Sequence, residues 1–264
     1  MIRVGSYVNR LRSPLERGLY KAGMLRCSKD LEDLSNYRDA FSGERCFIMG
    51  NGPSLNKIDL KKLKTEYVFV FNGAYELAQK FQFAKPMYLI EDHLVAIDHS
   101  ANFKELNGPK FVAHDLIRYF NYSKSITTVY LERNYSCDVN WPGFLDKSAN
   151  CPIFYWGGTV AYFGLQLADF MNFNEIIFIG MDLTYTVPNS VIRNGTQLTS
   201  TEDDPNHYSP KYFGAGKRWH IPETSRMVQA FKFASNHPVA ERVSNATVGG
   251  NLDCFTRKDY DDLF

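Results

Sequence analysis

Apolar residues in this chain fall into short runs separated by longer stretches of mixed character. Four runs are almost continuously apolar and end at glycine or a short polar residue: 45–49, 67–71, 87–90 and 175–179. Runs of this length without alternation are typical of strands that are covered on both faces, as in a parallel sheet. Weaker strands are predicted at 110–113 and 128–131, and a last one at 242–245.

The stretches between these runs predict helices at 74–80, 160–171 and 224–236, the last with Thr224 or Ser225 as its N-cap. Strands that alternate with helices predict an α/β fold, a Rossmann-like, doubly wound and mainly parallel sheet. Residues 1–43 are predicted to be a polar helical arm, and residues 44–264 a nucleotide-binding catalytic domain. Residues 184–219 break the regular pattern, and a segment of that length is usually functional, so we expect a lid-like insertion there.

Composition narrows the classes of partner. The net charge is +1, so the chain has no overall field to attract nucleic acid. The five cysteines are scattered without a Cys-x-x-Cys pair, and no apolar stretch reaches the roughly 18 residues of a spanning helix, which together predict a cytoplasmic protein. Basic residues crowd the N-terminal arm and leave three alternatives open: a solvated helix, contact with the inner face of a membrane, or a partner chain, including a homo-oligomer.

Short polar side chains follow four of the predicted strands. Asn51, Asn72, Asp92 and Asp182 each come within three residues of a strand end. The carboxyl ends of parallel strands meet at one edge of a sheet, and ligands of open α/β sheets bind beyond that edge. We therefore expect these side chains to belong to one site.

The segment Gly50-Asn51-Gly52-Pro53-Ser54 predicts a phosphate-binding turn between the first strand and a helix. Gly50 and Gly52 let a backbone approach a ligand without a Cβ, and successive N–H groups can hold a phosphate or face a base. Asn51 and Ser54 add polar side chains. The alternative is an ordinary strand-to-helix turn, and the motif is neither a Walker loop nor the dinucleotide fingerprint.

Gly157-Gly158-Thr159 opens a predicted helix, which makes Gly158 and Thr159 candidates for an anion site. The alternative is close packing of the helix with a threonine cap. Asp182 suits either a ribose hydroxyl, a divalent ion or a cap. If the site holds a metal, then Asp92, Asp182 and Asp204 are its candidate ligands; Glu91 is equally suitable by residue type, and Asp203 stands beside Asp204.

The insertion carries the candidates for acid–base chemistry. His207 is a candidate general base near neutral pH, against the alternative of an exposed loop histidine. Lys217 and Arg218 are candidates to neutralise a leaving phosphate, against the alternative of a solvated surface. Trp219 and His220 follow directly.

An ordered set of motifs over residues 45–264 resembles the 6-hydroxymethylpterin diphosphokinase-like family of bacterial proteins. The motifs are Phe47-Ile48-Met49-Gly50-Asn51-Gly52-Pro53-Ser54-Leu55, Gly158-Thr159-Val160, Phe178-Ile179-Gly180-Met181-Asp182, Asp204-Pro205-Asn206-His207-Tyr208, Lys217-Arg218-Trp219-His220, and Asn245-Ala246-Thr247 with Gly249-Gly250.

The same order of motifs is similar to the bacterial inverting sialyltransferases, which use CMP-sialic acid without a metal. That resemblance implies His207 as general base and a nucleotide surrounded by Asn51, Asn72, Gly180 and Asp182. It implies that Tyr185 or Tyr208 contacts the departing phosphate. The chain departs from the pattern at Gly157-Gly158-Thr159, where those enzymes have Thr-Ser-Gly, and at Leu183 and Thr184, which precede Tyr185.

Three functional hypotheses follow. The first is an inverting glycosyltransferase that needs no cofactor and uses a nucleotide-sugar, CMP-sugar favoured, to modify a glycan acceptor in cell-surface polysaccharide or lipopolysaccharide. The second is a Mg²⁺-dependent diphosphokinase that uses ATP and a pterin-like acceptor. The third is a nucleotide-binding protein without catalysis.

Overall fold

The computed structural model describes residues 34–135, 137, 141–147 and 152–264, together with Gly18. Residues 1–17 and 19–33 of the predicted helical arm therefore lie outside the described residues. Its last part, from the 3₁₀ turn Leu34–Tyr37 to Gly43, packs on the domain. Tyr37 is buried, and the ring of Phe41 stacks on Phe173 at 4.8 Å between centroids.

Eight strands of the described chain form one sheet in which every pairing is parallel. The strands of the described chain are β1 Arg45–Met49, β2 Tyr67–Phe71, β3 Lys85–Ile90, β4 Lys110–Ala113, β5 Thr127–Val129, β6 Leu131–Glu132, β7 Phe154–Tyr155, β8 Glu175–Ile179, β9 Ile192–Asn194, β10 Gln197–Thr199, β11 Arg218–His220, β12 Val243–Asn245 and β13 Thr256–Arg257. The order across the large sheet is β13-β12-β8-β1-β2-β3-β4-β5. The predicted doubly wound α/β fold is confirmed.

The strand order reverses between β1 and β8. From β1 the chain moves outward through β2 to β5, then returns to place β8 on the other side of β1. Such a reversal opens a crevice at the carboxyl ends of the two central strands, because the connections leave in opposite directions. The turns after β1 and β8, at Gly50 and Gly180, border that crevice.

Four α-helices and several 3₁₀ segments connect the described strands. The helices are α1 Tyr75–Lys80, α2 His93–Glu105, α3 Val160–Phe170 and α4 Thr224–Ala234; the 3₁₀ segments after Leu34–Tyr37 are Pro53–Lys57, Leu60–Leu63, Asn72–Ala74, His114–Phe120, Pro238–Arg242 and Asp261–Leu263. Helix α3 is buried along almost its whole length, which matches its nearly all-apolar sequence.

The predicted elements differ from the structure at several ends. Helix α2 was not predicted; it begins because the Asp92 carboxylate accepts from the N–H groups of Leu94 and Val95. Helix α4 begins at Thr224 after Glu223, without the predicted side-chain cap. The run at 128–131 divides into β5 and β6, and β12 is followed by a further strand, β13.

The insertion is not a structureless loop. Strands β9, β10 and β11 form a small antiparallel sheet, and β9 turns into β10 through Gly195, whose φ of +64° suits a residue without Cβ. Trp219 of β11 is buried and donates its indole N–H to the Ser200 hydroxyl. This sheet holds residues 200–217 against the edge of the large sheet.

Among the described residues, no helix combines the length and apolar character needed to cross a bilayer.

Candidate functional site

A cavity of about 660 Å³ opens at the carboxyl edge of the sheet, between the switch point and the insertion. Its walls are the turns after β1, β2, β3 and β8, the start of α3, and parts of the insertion and α4. Twelve of the predicted site residues line it: Gly50, Asn51, Gly52, Asn72, Asp92, Gly158, Thr159, Gly180, Asp182, Tyr185, His207 and Arg218.

The turns after β1 and β8 are bonded to each other, which changes the role predicted for residues 50–54. The N–H of Gly50 donates to the Ile179 carbonyl, and that of Gly52 donates to the Gly180 carbonyl. Ser54 donates its N–H and its hydroxyl to the carboxylate of Asp182, at 3.2 and 2.6 Å. These three N–H groups are therefore not free to hold a phosphate as predicted, because each already donates to an acceptor in the protein.

The glycines of this pair of turns are required by space. A Cβ on Gly50 would lie 2.3 Å from the Gly180 carbonyl oxygen, and one on Gly52 would lie 1.8 Å from a carboxylate oxygen of Asp182. Asp182 thus caps the 3₁₀ segment Pro53–Lys57. A cap was one of the three roles predicted for it, beside a ribose contact and a metal ligand. It still borders the cavity.

Two asparagine side chains present unused acceptors at the cavity. The Asn51 amide donates to the Tyr212 hydroxyl at 2.8 Å, while its Oδ1 is buried without a hydrogen-bond partner among the described residues. Asn72 has the left-handed φ of +54° that asparagine tolerates, and its Oδ1 is also buried without a partner there. Buried acceptors are normally satisfied, so both oxygens suit N–H or O–H donors of a ligand.

His207 is held by Asp204. Its Nδ1 lies 2.7 Å from Asp204 Oδ2, and both side chains are at least nine-tenths buried. The same carboxylate accepts from the N–H groups of Asn206 and Phe213. Burial alone would raise the pKa of Asp204, but the hydrogen bonds, that from His207 foremost, outweigh burial and lower the pKa. An ionised Asp204 keeps the proton of His207 on Nδ1, so Nε2 carries the lone pair.

Aromatic rings fix the plane of the His207 imidazole. Tyr212 stacks on it with 4.4 Å between ring centroids, and Phe213 and Tyr185 approach edge-on at 5.1 and 6.1 Å. Although 37% of its surface is exposed, partial burial of the ring and the charges of Asp204 and Asp182 raise the pKa of Tyr185, so its hydroxyl is a proton donor at neutral pH.

The start of α3 forms another part of the wall. The Thr159 hydroxyl accepts from the N–H of Ala161, so Thr159 is the cap of this helix. A Cβ on Gly157 would lie 2.3 Å from the ring of Tyr162, whereas Gly158 needs glycine for its φ of +81°. Arg226 of α4 lines the cavity beside Gly158 and pairs with Glu223 at 2.5 Å.

The opposite wall carries a second group of ionisable side chains. Asp92 and His93 begin α2, and His220 ends β11. His220 Nδ1 lies 2.8 Å from Asp92 Oδ2, and this hydrogen bond, ahead of the burial that opposes it, raises the pKa of His220. The rings of His93 and His220 are 5.1 Å apart.

Next to this group, Glu91 is buried near Arg133. Burial raises the pKa of Glu91 to about 7, although the positive charge of Arg133 works against that rise. Arg133 is bound more directly to Asp115, at 2.9 Å, and to the Glu91 carbonyl, at 2.6 Å.

Four of the predicted site residues do not line the cavity: Ser54, Asp204, Tyr208 and Lys217. Ser54 is buried against Asp182, Asp204 is buried behind its bond to His207, Tyr208 packs edge-on against Tyr212, and Lys217 is exposed. The three aspartates predicted as metal ligands do not converge either. Asp92 is bonded to His220, Asp182 to Ser54 and Asp204 to His207.

Other cavity residues were not predicted from the sequence. Tyr212 is one of 16 tyrosines, and nothing in its local sequence distinguishes it. His93 directly follows the predicted strand-end residue Asp92, and that adjacency was the available signal. Arg133 follows the weaker predicted strand at 128–131 by two residues, and that strand end was the available signal.

Comparison with protein families matches residues 24–188 to the family described as 6-hydroxymethylpterin diphosphokinase MptE-like. The match covers more than half of the 264 residues and includes β1 to β8, but ends before His207 and His220. No curated protein matches the chain.

Among solved structures, the chain is similar to the MAf glycosyltransferase from Magnetospirillum magneticum AMB-1, at 14% sequence identity and a TM-score of 0.53. The similarity covers 85% of this chain and 35% of that protein, so this chain spans about a third of its length. At this identity the likeness establishes the fold.

Proposed function

This chain belongs to the 6-hydroxymethylpterin diphosphokinase MptE-like family, and on that premise we propose that it is a nucleotide-dependent transferase that activates an acceptor hydroxyl. In its finer form the proposal is an inverting glycosyltransferase whose donor is a nucleotide-sugar, CMP-sugar favoured. The acceptor belongs to a cell-surface polysaccharide or lipopolysaccharide, and the reaction takes place on the cytoplasmic side of the membrane. The fold shared with the MAf glycosyltransferase supports this class.

The observation that carries the proposal is the pairing of His207 with Asp204 at the wall of the cavity. Asp204 fixes the imidazole with Nδ1 protonated, at 2.7 Å, and Tyr212 fixes its plane. An imidazole held in this tautomer presents Nε2 as a general base.

In the proposed reaction, His207 Nε2 removes the proton of the acceptor hydroxyl as its oxygen attacks the anomeric carbon. The bond from that carbon to the nucleotide phosphate breaks, and its electron pair leaves with the phosphate. Attack opposite the leaving group inverts the anomeric carbon. Asp204 stabilises the imidazolium that forms, because its pKa is lowered and it stays ionised.

The nucleotide fits the crevice between β1 and β8. The unused Oδ1 atoms of Asn51 and Asn72 suit hydrogen-bond donors of a base or ribose, such as an amino group or a sugar hydroxyl. Because the N–H groups of Gly50, Gly52 and Ser54 are internally bonded, this turn contacts the nucleotide through Asn51 rather than through a phosphate loop.

The phosphate of the leaving group is contacted by Tyr185, Arg218 and Arg226. Tyr185 is protonated at neutral pH and can donate a hydrogen bond to the developing charge. Both arginines line the cavity; Arg218 pairs with Asp98 at 3.1 Å and Arg226 with Glu223. These roles replace the one predicted for Lys217, which is exposed.

A diphosphokinase is the second candidate, favoured by the description of the family. It would use ATP with Mg²⁺, and His207 would serve equally as base on the accepting hydroxyl. The three aspartates proposed for Mg²⁺ are bonded to separate partners, which weighs against this candidate.

The proposal is tested in two steps with the full chain. A thermal-shift screen with CMP, CDP, UDP, GDP and ATP, each with and without Mg²⁺, identifies the nucleotide, since a ligand at 100 times its Kd stabilises by about 2.7 kcal/mol. The corresponding donors are then assayed for transfer and for hydrolysis.

We expect His207→Ala to lower kcat by about two to four orders of magnitude while nucleotide affinity changes less than about threefold, because the base touches the acceptor proton and not the nucleotide. His237→Ala is the matched control, since His237 packs on Phe144 away from the cavity. Undiminished turnover in His207→Ala would show that His207 is not the general base. ATP binding with activity abolished by removal of Mg²⁺ would select the diphosphokinase.

A further inference from the structure

Asp92, His93 and His220 bring three metal-ligating atoms together on the wall of the cavity. One ligand atom from each lies within 4.8 Å of the other two, and in the described residues this is where such atoms converge. Asp92 and His93 come from the start of α2, whereas His220 comes from β11 of the small sheet. The group therefore joins two separate parts of the molecule.

The spacing fits a coordination shell. Ligand atoms about 2.1 Å from a metal lie about 3.0 Å apart at adjacent octahedral positions and about 3.4 Å apart in a tetrahedral shell. The distance of 2.8 Å between Asp92 Oδ2 and His220 Nδ1 is close to the octahedral value, and a small separation of the two side chains gives the tetrahedral one. His93 is exposed at the cavity, and one of its ring nitrogens lies within 4.8 Å of the ligand atoms of both other residues.

Asp92 divides its two oxygens between separate tasks. Oδ1 accepts from the N–H groups of Leu94 and Val95 and caps α2, which fixes the carboxylate in place. Oδ2 points to His220. A carboxylate held by its other oxygen is what a metal-binding aspartate requires, since outer contacts orient the ligand.

The charges around the group favour the binding of a cation. In the described part of the chain, the ion-pair partner of Asp92 is His220, with no lysine or arginine within 4.0 Å. The nearby arginines are engaged elsewhere, Arg133 with Asp115 and Arg218 with Asp98. A second buried carboxylate oxygen, Glu91 Oε2, lines the same wall without a hydrogen-bond partner among the described residues.

We propose that Asp92, His93 and His220 bind a first-row transition-metal ion such as Zn²⁺, Co²⁺ or Mn²⁺. Two imidazoles and one carboxylate are ligands that suit these ions, whereas Mg²⁺ prefers oxygen and keeps its water. Three protein ligands leave coordination positions open toward the cavity, where a phosphate or hydroxyl oxygen of a ligand can enter.

The ion would also fasten the insertion to the start of α2. His220 belongs to the strand that anchors the insertion through Trp219, so a bond from the metal to His220 stabilises the closed cavity wall. This inference goes beyond the proposed function and does not rest on it, because neither His207 nor a substrate takes part in binding the ion.

The test uses the full chain without an affinity tag, stripped with chelator and dialysed. Co²⁺ is titrated and followed by its visible absorption, which reports its coordination geometry, and Zn²⁺ affinity is measured by competition with a chromophoric chelator. We expect one ion per chain, a higher melting temperature on binding, and no displacement by a thousandfold excess of Mg²⁺.

Variants assign the ligands. His93→Ala and His220→Ala should each weaken Zn²⁺ binding at least about 100-fold, since loss of a ligand costs more than loss of an outer contact. Asp92→Asn is the conservative third variant, because asparagine still caps a helix but lacks the charge. His237→Ala is the control and should bind like the wild type.

Absence of a stoichiometric ion in the wild type, or unchanged affinity in His93→Ala and His220→Ala, would overturn the site and show that Asp92 and His220 form only a structural contact. Because binding is measured without substrate, failure of the metal site leaves the His207 assay standing, and loss of turnover in His207→Ala does not affect the metal titration.

Discussion

Asp204 is the residue on which the orientation of His207 depends. Its carboxylate accepts from His207, Asn206 and Phe213, and all three bonds favour its ionised form. A hydrogen bond to a buried charged group contributes about 1.5–3 kcal/mol, so the carboxylate both orders the loop and holds the base.

Asp204→Asn therefore has a pH-dependent effect on stability. The pKa of Asp204 is lowered in the folded protein, so the stabilisation is present above the unfolded value of 3.8 and is lost as the pH falls through the lower folded value. We expect the free energy of unfolding of the wild type to exceed that of Asp204→Asn by about 1–3 kcal/mol at pH 6–8. This difference should shrink below pH 4. Urea denaturation across that range measures it. A difference that stays constant with pH would contradict the ionised state assigned to Asp204.

Strand ends were the clearest signal that the sequence gives at single residues. Asn51, Asn72 and Asp182 were predicted to lie together because parallel strands share an edge, and the structure brings all three to the cavity. The pairing of His207 with Asp204 was not predicted. In an irregular loop no periodicity says which side chains meet, and Asp204 was interpreted as a metal ligand. Tyr212, which stacks on His207, carried no signal at all.

At the scale of elements, the turns after β1 and β8 lock into each other. Gly52 has an ordinary extended backbone, with φ of −69°, so its need for glycine comes from space alone. We expect Gly52→Ala to cost about 1–3 kcal/mol, because its Cβ would overlap the Asp182 carboxylate at 1.8 Å.

A double-mutant cycle checks this cause by chemical denaturation. Asp182→Ala removes the overlapping carboxylate, so Gly52→Ala should cost at least about 1 kcal/mol less in that background. Equal costs in both backgrounds would show that the clash with Asp182 is relieved elsewhere.

Element prediction succeeded where burial on both faces produced continuous apolar runs, as in β1, β2 and β8. It failed for α2, whose start depends on a cap at Asp92 and whose surface lacks a strong apolar stripe. It also failed for β9, β10 and β11. These strands are only three residues long, and they are stabilised by pairing with one another and by the burial of Leu198 and Trp219, which no local pattern reveals.

At the scale of the whole molecule, the cavity exists because the insertion folds back on the sheet edge. The Tyr208 N–H donates to the Asn51 carbonyl, the Asn51 amide donates to the Tyr212 hydroxyl, and Asn56 donates to the Tyr208 carbonyl. Strand β11 closes the other side through Arg218 with Asp98 and His220 with Asp92. A ligand in the cavity thus contacts both the turns at the strand ends and the insertion, which are far apart in sequence.

Amide hydrogen exchange should therefore slow both in the turns at the strand ends and in the insertion when a nucleotide binds. The probe is CMP, or whichever of CDP, UDP, GDP and ATP stabilises the chain most. At 100 times its Kd the free energy of opening the cavity rises by about 2.7 kcal/mol, so amides that exchange only through that opening slow about 100-fold. We expect this in peptides covering residues 50–56, 72–75 and 206–220, while peptides covering β13 at the far edge of the sheet serve as the unaffected control. Slowing confined to residues 50–75 would place the nucleotide on the sheet edge alone, and the insertion, with His207, would then have no part in holding the bound state.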